Sequence, residues 1–144
     1  MIGYPQANLV GAREGGGMTT VREIMSAELV TVDPSVNLIE AARVMSVNSV
    51  GSVLVLEDRA LVGIFTERDI LRALAAHPKA DSARTSAVSQ GMTRDPETIG
   101  SEASVGEALD LMLSRGFRHL PVMEGERVVG VVSMRDLAKS ISKA

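Results

Sequence analysis

Apolar positions along the chain switch between a helical and a strand-like spacing. Leu38, Ala41, Ala42 and Met45 fall at i, i+3, i+4 and i+7, one face of an α-helix. Asn37, three residues ahead of Glu40, supplies a capping start for it. Ser52 to Leu56 is a mostly apolar run of strand length. The polar turn Glu57-Asp58-Arg59-Ala60 follows, and Leu61 to Phe65 reads as the return strand of a hairpin. Thr66 then opens a helix carrying Ile70, Leu71 and Leu74. Upstream, Thr20 to Met25 predicts a short lead-in helix, and Leu29 to Val32 a short strand closed by the turn pair Asp33-Pro34. Residues 75–87 form an Ala/Ser-rich connection in which Pro78 ends the preceding helix. Residues 1–17 end in three glycines without a sustained period, and predict a flexible extension, an upstream start or an expression remnant, with Met18 opening the structured part.

The whole order then recurs at an offset of 67 residues with no insertion between Met25/Met92 and Asp69/Asp136. Leu38, Ala41, Ala42 and Met45 map to Val105, Ala108, Leu109 and Met112, and the cap pair Asn37/Glu40 maps to Ser104/Glu107. Val53 to Leu56 maps to Leu120 to Met123. A repeat that keeps caps, core face and turns is a duplicated supersecondary unit, here β-α-β-β-α. The expected division is residues 18–77 and 88–144, joined by a linker over 78–87. One such unit holds only a thin core, so an α+β fold is expected in which the two pack sheet to sheet about a pseudo-two-fold axis. Paired clefts at that junction are the default place for a small ligand.

Each unit closes on the same chemistry. Gly63-Ile64-Phe65-Thr66-Glu67-Arg68-Asp69 recurs as Gly130-Val131-Val132-Ser133-Met134-Arg135-Asp136. A hydroxyl residue opens a helix whose N–H groups and dipole end favour an anion. An Asp in the first turn can accept hydrogen bonds from two adjacent sugar hydroxyls. Thr66-x-x-Asp69 and Ser133-x-x-Asp136 equally fit a helix-capping pattern, and the two roles are compatible. Arg68 and Arg135 stand in the first turn against the helix dipole, which supports an anion nearby, although such arginines are usually solvated.

Composition narrows the classes. With 15 basic and 18 acidic residues the net charge is −3, so a nucleic-acid surface is not expected. Aromatics are 2%, which argues against a stacking platform for single strands and leaves aliphatic side chains to sandwich any base. The absence of Cys removes thiol catalysis and disulfides. His77 and His119 are too few for an ordinary metal site, and no metal is expected. No apolar run reaches the roughly 20 residues of a membrane span, and no secretory signal is seen. A cytoplasmic protein is the expectation.

The two Gly-apolar-apolar-Thr/Ser-x-x-Asp motifs, each closing such a unit, resemble a cystathionine-β-synthase-type (CBS) domain pair, or Bateman module. Arg118-His119-Leu120-Pro121-Val122 looks like the second strand of these domains. Met25-Ser26…Val30-Thr31-Val32 and Met92-Thr93…Thr98-Ile99 look like their openings. The resemblance covers roughly residues 18–143. It implies a non-catalytic regulatory module that binds adenosine-containing ligands (AMP, ADP, ATP or S-adenosylmethionine) in the clefts and signals to a partner protein, with no cofactor required. It implies that Asp69 and Asp136 hold ribose hydroxyls, that Thr66 and Ser133 contact ribose or phosphate, that Arg68 and Arg135 add charge near phosphate, and that Ile64 and Val131 flank the base. One cleft of this family draws its first strand from the opposite repeat. Leu29, Val50 and Gly51 are therefore expected to complete the Asp136 cleft, and residues near Pro96 the Asp69 cleft, with Pro121 also at the ligand. The resemblance further suggests a homodimer meeting through its helices.

One asymmetry is visible directly: Arg118-His119 replaces Gly51-Ser52. Adjacent strand residues point to opposite faces, so at most one of Arg118 and His119 faces a given side squarely. The cleft reached by Arg118 is expected to prefer a phosphorylated ligand. The alternative leaves Arg118 solvated and His119 packed at an edge. Two other functions compete with this one. A ligand-free homodimeric scaffold would use both aspartates only as caps. An enzyme lacks support, with no GxSxG elbow, Walker lysine or credible Ser-His-Asp set.

Overall fold

The computed structural model describes residues 19–77 and 79–142. The extension expected over 1–17, the opening Met18 and the helix-ending Pro78 lie outside the described residues. In chain order the elements are α1 (Val21–Ile24), β1 (Thr31–Val32), α2 (Leu38–Asn48), β2 (Ser52–Glu57), β3 (Ala60–Thr66), α3 (Glu67–Ala76), α4 (Ala80–Thr85), α5 (Val88–Gly91), β4 (Thr93–Arg94), β5 (Ile99–Gly100), α6 (Val105–Arg115), β6 (His119–Glu124), β7 (Arg127–Ser133) and α7 (Met134–Ser142). They form two compact units: a central one, Glu28–Pro96, and a terminal one that joins the chain through Ala27 to the chain from Glu97 onward.

In the central unit β1 runs parallel to β2, as the α2 crossover requires, and β2 pairs antiparallel with β3. The hairpin turns through Asp58 and Arg59 at φ 53° and 70°, the left-handed backbone that fits the twist of two strands. Leu38, Ala41 and Met45 of α2 bury against Val53, Val55 and Phe65, with Val88 of α5 closing the core. Asn37 accepts a hydrogen bond from the Glu40 N–H at 2.8 Å, the expected cap. The terminal unit repeats this with β5, β6 and β7. Ala108 and Met112 of α6 meet Leu120, Val122, Val132 and Leu137, and Val21 of α1 joins them. Ser104 caps α6 through the Glu107 N–H at 3.0 Å. Each hairpin carries its register shift at the same repeat position, Val55/Leu56 and Val122/Met123.

The units do not follow the order of the sequence repeats. β4, which opens the second repeat, pairs with β3 of the first through Gly63↔Arg94 and Ile64↔Thr93. At the equivalent place Ser26, from the first repeat, exchanges backbone hydrogen bonds of 2.9 and 3.0 Å with Val131 of β7. Val88 N–H donates to Val36 carbonyl and Val21 N–H to Ala103 carbonyl, both at 2.8 Å. The leading segment of each repeat is thus built into the unit of the other. The glycines of the two motifs make this possible. A Cβ on Gly63 would stand 2.5 Å from Met92 Sδ, and one on Gly130 2.5 Å from Met25 Sδ and 2.7 Å from the Ser26 carbonyl oxygen.

Three local expectations are modified. The first strand spans only Thr31–Val32, because only these residues meet β2 in register, and Leu29 stays exposed. The connection over 78–87 contains α4, whose Ala83 is fully buried; six residues are too few to show a helical period. On α3, Ile70 packs on the core while Leu71 and Leu74 face outward.

Candidate functional site

The starts of α3 and α7 are assembled alike. Thr66 ends β3 and caps α3: its hydroxyl oxygen accepts from the Asp69 N–H at 3.3 Å, and Asp69 Oδ2 accepts from the Thr66 N–H at 2.8 Å and from its hydroxyl at 3.1 Å. At α7, Ser133 Oγ accepts from the Asp136 N–H at 3.1 Å, and Asp136 Oδ2 accepts from the Ser133 N–H at 2.8 Å. The capping reading of both motifs is therefore realised. The first N–H of each helix is held as well: Glu67 donates to the Gly51 carbonyl at 3.1 Å and Met134 to the Arg118 carbonyl at 2.8 Å.

Capping consumes one carboxylate oxygen of each aspartate. Among the described residues, Oδ1 of Asp69 has only Arg72 Nη1 beside it, at 3.6 Å, beyond hydrogen-bond reach. Oδ1 of Asp136 receives no hydrogen bond from a described residue. Asp69 is 5% exposed and Asp136 half-buried. A buried carboxylate oxygen without a donor is costly, so the Asp69 site is chemically set to receive hydroxyl or amine donors, and the half-buried Asp136 presents the same oxygen at lower cost.

Leu29, Val50, Gly51, Ile64, Thr66, Arg68, Asp69 and Pro96 all belong to the central unit, and Arg118, His119, Pro121, Val131, Ser133, Arg135 and Asp136 to the terminal unit. Gly51 is drawn to the α3 start by its carbonyl, while Val50 packs on the core and Pro96 sits half-buried after β4. Arg118 is drawn to the α7 start, and His119 pairs in register with Ser133. Ile64 lies opposite Leu54, and Val131 opposite Pro121. By strand alternation these pairs share the sheet face turned away from the cores of Phe65 and Val132. Arg68, Arg118 and Arg135 are exposed and form no ion pair among the described residues.

Sequence reasoning missed Arg72, although its position three residues after Asp69 on the same helix face is the usual spacing for such a pair. It also missed a cavity of about 260 Å³ in the central unit, between α3, α5 and the start of α2. A further cluster fastens α1 in the terminal unit. Arg22 pairs with Glu124 and, at 3.4 Å, with Glu102, while Ser101 donates to Glu124 at 2.9 Å. Among the described residues no group of three His, Cys, Asp or Glu could hold a metal ion. No described helix is long and apolar enough to cross a membrane.

Comparison with known proteins bears on the same segments. The family model described as CBS domain matches residues 21–76 and 86–143. An uncharacterised 17.7 kDa protein of Acidianus ambivalens is 38% identical over 125 residues, which is 85% of this chain and 73% of that protein. The crystal structure of a CBS-domain-containing protein from Agrobacterium tumefaciens superposes with a TM-score of 0.80 at 31% identity, covering 85% of this chain and 99% of that one. The CBS domain pair of protein MJ0100, solved with 5'-methylthioadenosine and S-adenosyl-L-methionine, gives a TM-score of 0.78 at 26% identity, covering 88% of this chain and 98% of that one.

Proposed function

The chain belongs to the CBS-domain family, and on that footing we propose that it is a non-catalytic regulatory module that binds an adenosine-containing ligand and passes its occupancy to a partner protein. The carrying observation is the half-used carboxylate at each helix start: Oδ2 closes the cap, and among the described residues Oδ1 receives no hydrogen bond. A ribose offers two adjacent hydroxyl donors to such an oxygen. In this reading Asp69 and Asp136 grip the sugar, and Thr66 and Ser133 meet ribose or phosphate. Arg68 and Arg135 lie where phosphate charge is neutralised, and Ile64 and Val131 flank the base. The complex of the MJ0100 domain pair with two adenosyl compounds supports the ligand class. Arg118, tied by its carbonyl to the α7 start where the α3 start has Gly51, makes the terminal site the better one for a phosphorylated ligand such as AMP.

The competing reading is a ligand-free scaffold, favoured by the fact that both aspartates already serve as caps. The two separate in one experiment. Calorimetric titration with AMP, ATP and S-adenosylmethionine is run on the wild type and on Asp69→Asn/Asp136→Asn. The sensor loses affinity in the double variant. A scaffold shows no saturable binding in either protein, and its variant differs only in stability.

A further inference from the structure

The cavity in the central unit is bordered by a glycine, Gly91. Gly91 is the last residue of α5, and its φ is not in the left-handed region, so the backbone has no need of glycine there. A Cβ at Gly91 would meet Phe65 Cε1 at 3.4 Å, ordinary contact bordering the cavity. The same repeat position in the terminal unit is Ile24, which packs on that unit's core. Two copies of one architecture thus differ at this position, with a glycine bordering the cavity in one and a core-packed isoleucine in the other. The cavity walls are apolar, from Leu38, Phe65, Ala73 and Ala76. Its polar lining includes one anion and one cation side by side, Asp69 and Arg72, with Oδ1 and Nη1 3.6 Å apart and too far for a hydrogen bond. Asp69 is nineteen-twentieths buried, whereas the Arg72 side chain is 68% exposed and free to swing.

A carboxylate and a guanidinium together beside an apolar hollow complement a zwitterion with an apolar tail. We propose that this cavity binds a small aliphatic α-amino acid. Its ammonium donates to Asp69 Oδ1, its carboxylate accepts from Arg72, and its side chain fills the apolar space between Leu38, Phe65 and Gly91. About 260 Å³ accommodates a side chain of leucine size. The site stands on its own geometry, but it shares Asp69 with the nucleoside site proposed at α3. Amino acid and nucleoside therefore exclude each other there, while the α7 site is indifferent.

The test is calorimetric titration of the full chain with L-leucine, and with glycine as the tail-less control. Leucine is expected to bind once per chain and glycine not measurably. Gly91→Ile and Arg72→Gln are each expected to weaken leucine by about tenfold or more, the loss of a packed tail or of a charge-assisted contact. Gly91→Ile is also expected to raise the melting temperature by filling the hollow; should it fail to fold, Arg72→Gln, altered at an exposed side chain, carries the test. Absence of leucine binding to the wild type, or equal affinity in Arg72→Gln, overturns the proposal. In Asp136→Asn, leucine is expected to raise the apparent dissociation constant for AMP. Leucine binding without any AMP binding would sink the nucleoside reading and leave this one standing.

Discussion

At the scale of single residues, the glycines Gly63 and Gly130 are the least replaceable positions of the two motifs. Adding a methyl group at Gly130 sets it 2.7 Å from the Ser26 carbonyl oxygen, which is held in place by the Val131 N–H. The corresponding backbone oxygen at Gly63, that of Thr93, is 3.0 Å away. Gly130→Ala is therefore expected to cost roughly 1–3 kcal/mol in urea denaturation, the usual range for overpacking, and Gly63→Ala less. The capping hydroxyls are a separate matter. Thr66→Ala and Ser133→Ala each remove an acceptor from a helix start and should cost about 1 kcal/mol. The sequence showed both glycines and both hydroxyls at an offset of 67 residues, and the reciprocal backbone caps follow it at both helix starts. The reason for the glycines was not readable there, because Met25 and Met92 reach them only after the opening segments have crossed to the other repeat's unit.

Among elements, that crossing is the feature with the clearest energetic handle. In the terminal unit α1 is fastened by Arg22 to Glu124 and Glu102, with Ser101 between. In the central unit the equivalent of Arg22 is Ser89, whose N–H still donates to Pro34 carbonyl at 3.0 Å but which has no ion pair. A double-mutant cycle of Arg22→Ala and Glu124→Gln is expected to give a coupling of about 0.2–1 kcal/mol, as for half-exposed pairs, and to shrink at high salt. A coupling indistinguishable from zero at low salt means the backbone bonds alone hold α1. The helical periods of α2 and α6 are legible in Leu38, Ala41 and Met45 and their counterparts, since a buried face repeats every turn. The six residues of α4 carry no such period, so the sequence predicts only a connection there.

For the molecule as a whole, both units leave apolar side chains on their helices: Leu71 of α3 is 67% exposed, Ile141 of α7 54%, and Val47 of α2 and Leu113 of α6 are likewise outward. Such side chains suit the helix-to-helix homodimer expected from the family resemblance. Sedimentation of the wild type against Leu71→Ser/Ile141→Ser checks it: the wild type should run as a dimer and the variant shift toward monomer by mass action. A wild type that runs as a monomer would overturn the dimer expectation.

What the sequence determined by itself was periodic or set by capping: the duplication, the β-α-β-β-α order, the core faces of α2 and α6, and the caps at Asn37, Ser104, Thr66 and Ser133. Those features depend on residues a few positions apart, where spacing and geometry are almost the same thing. Only the tertiary structure decided which opening segment completes which sheet, why Gly63 and Gly130 admit no side chain, and that Asp69 and Arg72 of α3 border a cavity closed by Leu38 and Gly91. Each of these needs two segments distant in the chain to meet, and a repeat offset cannot say which copy a segment joins.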